Sequence, residues 1–239
     1  MESWILLAVV FAASSHCVVQ AHSFYVVVPP QHATMGAPPP EWYIDALMRH
    51  EKRPYYVGLL SAAAAHGASH QAVMEFQVIT DKLLPDIEAG RTRIAFSYRK
   101  DMAAAAAGIE DRKTPPGYMK LSSPELTALD LVRYPHSGAG LDNIATVLSE
   151  LAERLQPEKL ASLSGAFEKA VAQRLGHLLR RLGHADAVDA MFAALSARGA
   201  LPWVELDPKQ AGAPDLSPPP SERDERWRVI VRRPPEIDE

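Results

Sequence analysis

Apolar and polar residues alternate most cleanly between Arg91 and Lys100. Ile94, Phe96 and Tyr98 fall on one side of an extended chain, and Arg91, Arg93 and Arg99 fall on the other. This period of two predicts a half-buried strand with a basic outer face. Phe24 to Val28 is rich in β-formers and stops at Pro29-Pro30, which predicts a strand. Met74 to Thr80 is another, with Met74, Phe76 and Val78 on one face, and Gly117 to Leu121 is a short one. Helical spacing lies between them. Glu41 to Arg49 offers Trp42, Ile44, Leu47 and Met48 for burial behind a proline entry at Pro38 to Pro40. Val57 to His66 is a small-residue helix ended by Gly67, and Ala103 to Ala107 reads as a loop or short helix.

From Ser123 the period changes to that of helices. Ser123 suits a cap, Pro124 the first helical position and Glu125 the positive end of the dipole. Asn143 to Leu155, Glu158 to Phe167, Lys169 to Leu182 and Ala185 to Arg198 are further amphipathic helices. Trp203 to Leu206 and Trp227 to Arg232 return to strands, with an exposed proline-rich loop at Ala211 to Ser221 between them. The pattern predicts an α+β fold, a mixed sheet packed with helices and followed by a helical block, without internal repeats.

The 239 residues suffice for one core and a small appendage. The net charge of −4 gives no overall attraction to nucleic acid or membrane, so any phosphate contact must come from local basic groups. A single cysteine, Cys17, excludes an intrachain disulfide and a cysteine-built zinc site. The apolar run from Trp4 to Ala13 has the length of a signal-peptide core, and Val19-Gln20-Ala21 has the look of a cleavage site. Against secretion, Met1-Glu2-Ser3 carries no positive side chain; against a membrane anchor, the run is too short to span a bilayer. A cytoplasmic location is expected.

No nucleotide-binding or nucleophile motif is present, and His66 and His70, four apart, have Gly67 between them and lack the glutamate of a zinc helix. No metal or cofactor is expected. The alternative enzyme reading is a metal-dependent nuclease using Glu75, Asp81 and Lys82, which would have to converge on one ion. Against it, Glu125 serves a helix start and Asp130 pairs with a base such as Arg133 or Arg99. Basic groups carry more signal. The first is Arg91, Arg93 and Arg99 with Lys100. The second is Arg174, His177 and Arg181 on one side of their helix. The third is Arg226, Arg228, Arg232 and Arg233 around the last strand. Such groups hold phosphates, meet an acidic partner, or only solvate a face.

Six segments, in order, carry a family resemblance: FYVVVPP (Phe24 to Pro30), PPPEWYIDALM (Pro38 to Met48), PYYVGLLSAAAAHGASHQ (Pro54 to Gln71), EFQVITDK (Glu75 to Lys82), SPELTALDLVRYP (Ser123 to Pro135) and RDERWRVIV (Arg223 to Val231). In them the chain resembles the AbiEi family, the antitoxins of bacterial type IV toxin–antitoxin systems. The resemblance implies a non-enzymatic regulator that opposes a nucleotidyltransferase-like toxin without a stable complex. It also implies an N-terminal winged helix-turn-helix that binds the promoter of its own operon. Here residues 1–23 contain no Lys or Arg, and a winged helix needs about sixty residues with a recognition helix. The expectation is therefore an apolar leader and truncated winged-helix remnant over 1–37, an antitoxin domain over 38–239, and weakened operator binding.

Overall fold

The computed structural model describes residues 18–21, 24–68, 75–210 and 219–237. The apolar leader and Met74 lie outside them. β1 (Val18–Ala21) and β2 (Phe24–Val27) form an antiparallel pair with Val18 opposite Val27. Two 3-10 turns, Pro30–His32 and Pro40–Trp42, lead into α1 (Ile44–His50). Then follow β3 (Tyr55–Val57), α2 (Leu59–Ala65), β4 (Glu75–Thr80), β5 (Ile87–Ala89), β6 (Thr92–Tyr98), β7 (Ile109–Thr114) and β8 (Gly117–Ser122). Strands β3 to β8 form one mixed sheet of order β5-β6-β4-β3-β8-β7. β4 runs parallel to β6 and antiparallel to β3.

Strand pleat decides which layer each side chain joins. Tyr55 and Val57 of β3, with Val78, Ile94, Phe96, Met119 and Leu121, pack with Ile44, Leu47 and Met48 of α1. Tyr56 and Ile79 point to the other layer, where they meet Leu59 of α2 and the helical block. Phe24, Val26 and Ala37 join the α1 layer.

The structure differs from the sequence reading in several places. Val57 belongs to β3 rather than to the following helix; Gly58 breaks the chain there, and Leu59 enters α2 at φ +55°. That left-handed angle is disfavoured for a residue with a Cβ. It is held by Gln77 of β4, whose side chain accepts from the Leu60 N–H at 2.8 Å and donates to the Ser137 carbonyl at 2.8 Å. β7 carries Glu110, Asp111, Arg112 and Lys113 in a row, all exposed. A sheet edge needs no apolar period, and its charges discourage pairing with another chain. Tyr98, expected inside with Ile94 and Phe96, is 47% exposed.

α3 (Pro124–Arg133) is the centre of the helical block, with every residue from Glu125 to Val132 buried. Its start is as the sequence requires: Ser123 Oγ accepts from the Leu126 N–H at 3.4 Å. Around it lie α4 (Leu141–Leu151), α5 (Pro157–Ser164), α6 (Lys169–Arg181) and α7 (Ala185–Ala197). A second sheet closes the block. β9 (Val204–Glu205), β10 (Glu222–Asp224) and β11 (Val229–Val231) run in the order β10-β11-β9. It covers the side of α6 that the sequence gives to solvent. Trp227, at the β10–β11 turn, lies so close over Gly176 that a Cβ there would stand 2.3 Å from the indole. Of the predicted proline-rich loop, residues 211–218 are outside the described part. Among the described residues, no helix is long and apolar enough to cross a membrane.

Candidate functional site

The fold brings three sequence-distant polar side chains together where the large sheet meets the helical block. Arg99, just past β6, reaches Asp130 of α3 at 3.0 Å, and the Tyr56 hydroxyl of β3 donates to the other carboxylate oxygen at 2.7 Å. Arg99 also donates from Nε to the Asp101 carbonyl at 3.0 Å, and its guanidinium lies 4.5 Å from the centre of the Phe167 ring. Side-chain exposure is 1% for Arg99 and 0% for Asp130. Asp130 thus pairs with Arg99, one of the two bases expected for it. Arg99 does not stand on a basic outer face. The backbone still pairs there, the Arg99 N–H donating to the Thr80 carbonyl at 2.8 Å, and a buried carboxylate of the helical block claims the guanidinium.

Loss of water pushes the Asp130 carboxyl up from 3.8 to about 6, against the pull of Arg99 and the Tyr56 hydroxyl. The same burial drives Tyr56 far above the usual phenol range. The folded protein therefore holds the Asp130 proton more tightly than the unfolded chain. Stability from this group is fully present below about pH 4 and is lost as pH rises through about 6. Asp130→Asn should flatten that slope in urea unfolding curves recorded between pH 4 and pH 7, and an unchanged slope would refute the assignment. A carboxyl with a shifted pKa in a cleft would suggest catalysis. This one is sealed, so its reach is limited to its own neighbours.

Among the cations expected at the surface, most meet carboxylates. Arg93 lies between Asp86, its closest partner, and Glu75 at 3.2 Å. Arg91 and Lys100 are exposed without an acidic partner among the described residues, but they flank β6 at opposite ends, about 30 Å apart in an extended chain. The second and third basic groups lie where the C-terminal sheet meets the helical block. Arg174 Nε donates to the Glu205 carbonyl at 2.8 Å, and Arg232 pairs with the Glu205 carboxylate at 2.8 Å. Arg181 pairs with Glu222 at 2.9 Å, and Arg228 with Glu225 at 3.1 Å. Arg226 is held by Asp189 and Arg233 by Asp142. Burial lowers the pKa of Arg174. His177, expected on the exposed side, is buried, with Nδ1 2.8 Å from Asp224, which also accepts from Arg180 at 3.0 Å. Burial raises Asp224, but His177, the Trp227 N–H and Arg180 together hold it below the ordinary carboxylate value.

The nuclease constellation does not assemble. Glu75 opens β4 and Asp81 follows its last residue, about 20 Å away along an extended strand. Glu75 faces Arg93, and Asp81 lies 3.6 Å from Arg53; Lys82 is exposed beside it. Among the described residues, no group of three or more His, Cys, Asp or Glu is placed to hold a metal.

The region from β3 to the end of α6 is thus a sheet and a helical block joined by a sealed ionic cluster. The AbiEi antitoxin C-terminal domain family matches residues 56–181, just over half of the chain, and the chain belongs to that family. The match begins at Tyr56, includes Arg99 and Asp130, and ends at Arg181. No curated protein matches the chain. Among solved structures, the RV2827C protein from Mycobacterium tuberculosis shares the fold at a TM-score of 0.66 and 15% identity. The alignment covers 90% of this chain and 75% of that one.

Proposed function

We propose that this chain is the antitoxin of a two-gene toxin–antitoxin pair, acting in the cytoplasm against a nucleotidyltransferase-like toxin. On this reading it works by binding and regulation rather than catalysis. The family match over 56–181 is the observation that carries the proposal, because it spans the large sheet and helices α2 to α6 around the Tyr56–Asp130–Arg99 junction. A type IV antitoxin opposes the toxin's effect without needing a lasting complex, so no large apolar docking face is required of it.

Control of its own operon is the second part of the proposal. Arg91, Lys100 and the outer arginines of the C-terminal seam would supply phosphate contacts. Operator binding through them should fall steeply with salt. The test is co-expression with a nucleotidyltransferase-like toxin encoded beside the gene, in an inducible host. Growth should resume when this chain is made. Arrest that persists at equal protein levels would overturn the antitoxin role, and tight, salt-tolerant binding to one operator would overturn the phosphate-contact account.

A further inference from the structure

Trp203, Arg223 and Arg228 form a surface cluster that the fold does not account for. The other resolved indole of the C-terminal region, Trp227, is wholly buried, whereas Trp203 is 37% exposed just before β9. Two guanidinium groups lie over its ring, Arg223 at 5.8 Å and Arg228 at 5.0 Å from the centroid. Arg223 is exposed on β10 and has no ion pair among the described residues.

Arg228 adds an independent sign. It sits at φ +54° in the β10–β11 turn, a left-handed conformation that glycine adopts freely and a residue with a Cβ adopts at a cost. Its backbone carbonyl accepts from the Val204 N–H at 2.9 Å, a bond that any residue could supply. That bond gives no reason for a side chain at this position. That side chain meets Glu225 at 3.1 Å in an exposed pair three residues apart, an interaction of little worth. Its other contact is Trp203. Arg226, Arg232 and Arg233 are each engaged with carboxylates of other segments or of the C-terminal tail, so they do not explain the geometry.

We propose that this cluster binds an unpaired nucleic-acid strand, with a base on the Trp203 ring and the flanking phosphates on Arg223 and Arg228. An exposed indole offers a flat face that any unpaired base can stack on, and guanidinium groups present paired N–H donors to phosphate. At 5.0 and 5.8 Å both arginines stand farther from the ring than Arg99 does from Phe167 at 4.5 Å. A base can take over the ring while the arginines swing to the phosphates on either side. Bases inside a duplex are stacked on one another and closed to such a ring. An acidic protein would use the arginines and gain nothing from the indole.

The proposal is independent of the antitoxin reading, since its readout is binding rather than growth. The full-length chain is titrated with short oligouridine, oligothymidine, a duplex of equal length and polyglutamate, following indole emission and anisotropy of labelled strands. One or both single strands should bind and quench the indole, the tighter of the two showing whether RNA or DNA is the natural source. Trp203→Ala should weaken that binding about tenfold. Arg228→Gly is the decisive variant: it should unfold at the same temperature as the parent or higher, because the turn is relaxed, yet lose binding to a similar extent. Arg228→Lys should keep the charge and lose most of the effect. No binding of single strands at low salt, equal or tighter binding of the duplex, binding of polyglutamate alone, or indifference to Trp203→Ala and Arg228→Gly would each overturn the proposal.

Discussion

Asp130→Leu should cost about 3–5 kcal/mol of stability, Arg99→Met a similar amount, and the two together far less than their sum. Each single change leaves one charge, or its orphaned partner, inside a region of 0–1% exposure. Water cannot compensate there, and the remaining group bears its full desolvation cost. Removing both replaces the ion pair with apolar side chains of comparable volume against Phe167 and α3. The cost that remains in the double variant belongs to the Tyr56 hydroxyl, which loses its acceptor at 2.7 Å, and Tyr56→Phe should recover part of it. Urea unfolding of the four members of the cycle gives the coupling directly. Additive single costs would show that Arg99 and Asp130 do not act as a unit, and that the sheet and helical block are joined by something else.

Gly176→Ala is the second large effect, and helix propensity predicts its sign wrongly. In the interior of α6 an alanine should gain about 1 kcal/mol over glycine. Here the added methyl would stand 2.3 Å from the Trp227 ring, which is fully buried and held in a T-shaped contact with Phe192 at a centroid distance of 5.0 Å. Overpacking of this kind costs about 1–3 kcal/mol, so the variant should be destabilised. Trp227→Ala alone should cost about 3–5 kcal/mol through the cavity it leaves. In the double variant the methyl occupies vacated space, and its penalty should vanish or reverse. A Gly176→Ala chain as stable as the parent would mean that the C-terminal sheet can lift from α6.

The sequence made the helices legible and the arginines misleading, for separate physical reasons. Ser123-Pro124-Glu125 signals the start of α3 because capping is a local property of a few neighbouring residues. The strand at Arg91 to Lys100 was legible because Ile94 and Phe96 alternate with polar positions. β7 was not, since an exposed edge imposes no such period, and β10, only three residues long, is too short to show one. Arg99 continues the alternation of Arg91 and Arg93, and nothing local reveals that a carboxylate thirty-one positions away draws it inside. His177 and Arg174 read as a solvent face because α6 looks amphipathic in isolation; the sheet that covers this face lies beyond residue 203. The pairing of Asp130 with Arg99 or Arg133 could be guessed from sequence, but choosing between them needed the fold. Trp203 gave no signal, because in sequence an exposed tryptophan beside a short strand is indistinguishable from one that packs.

The account rests on the claim that antitoxin activity belongs to a folded binding surface and that no reacting group within the domain produces it. The most direct test combines the growth assay with the Arg99→Met, Asp130→Leu double variant. This chain lacks the central ion pair of the sealed cluster, together with the fully buried carboxyl whose pKa is raised to about 6. The account predicts that the double variant, expressed at parental levels and shown to be folded, restores growth against the toxin as the parent does. A folded double variant that leaves the arrest intact would contradict it.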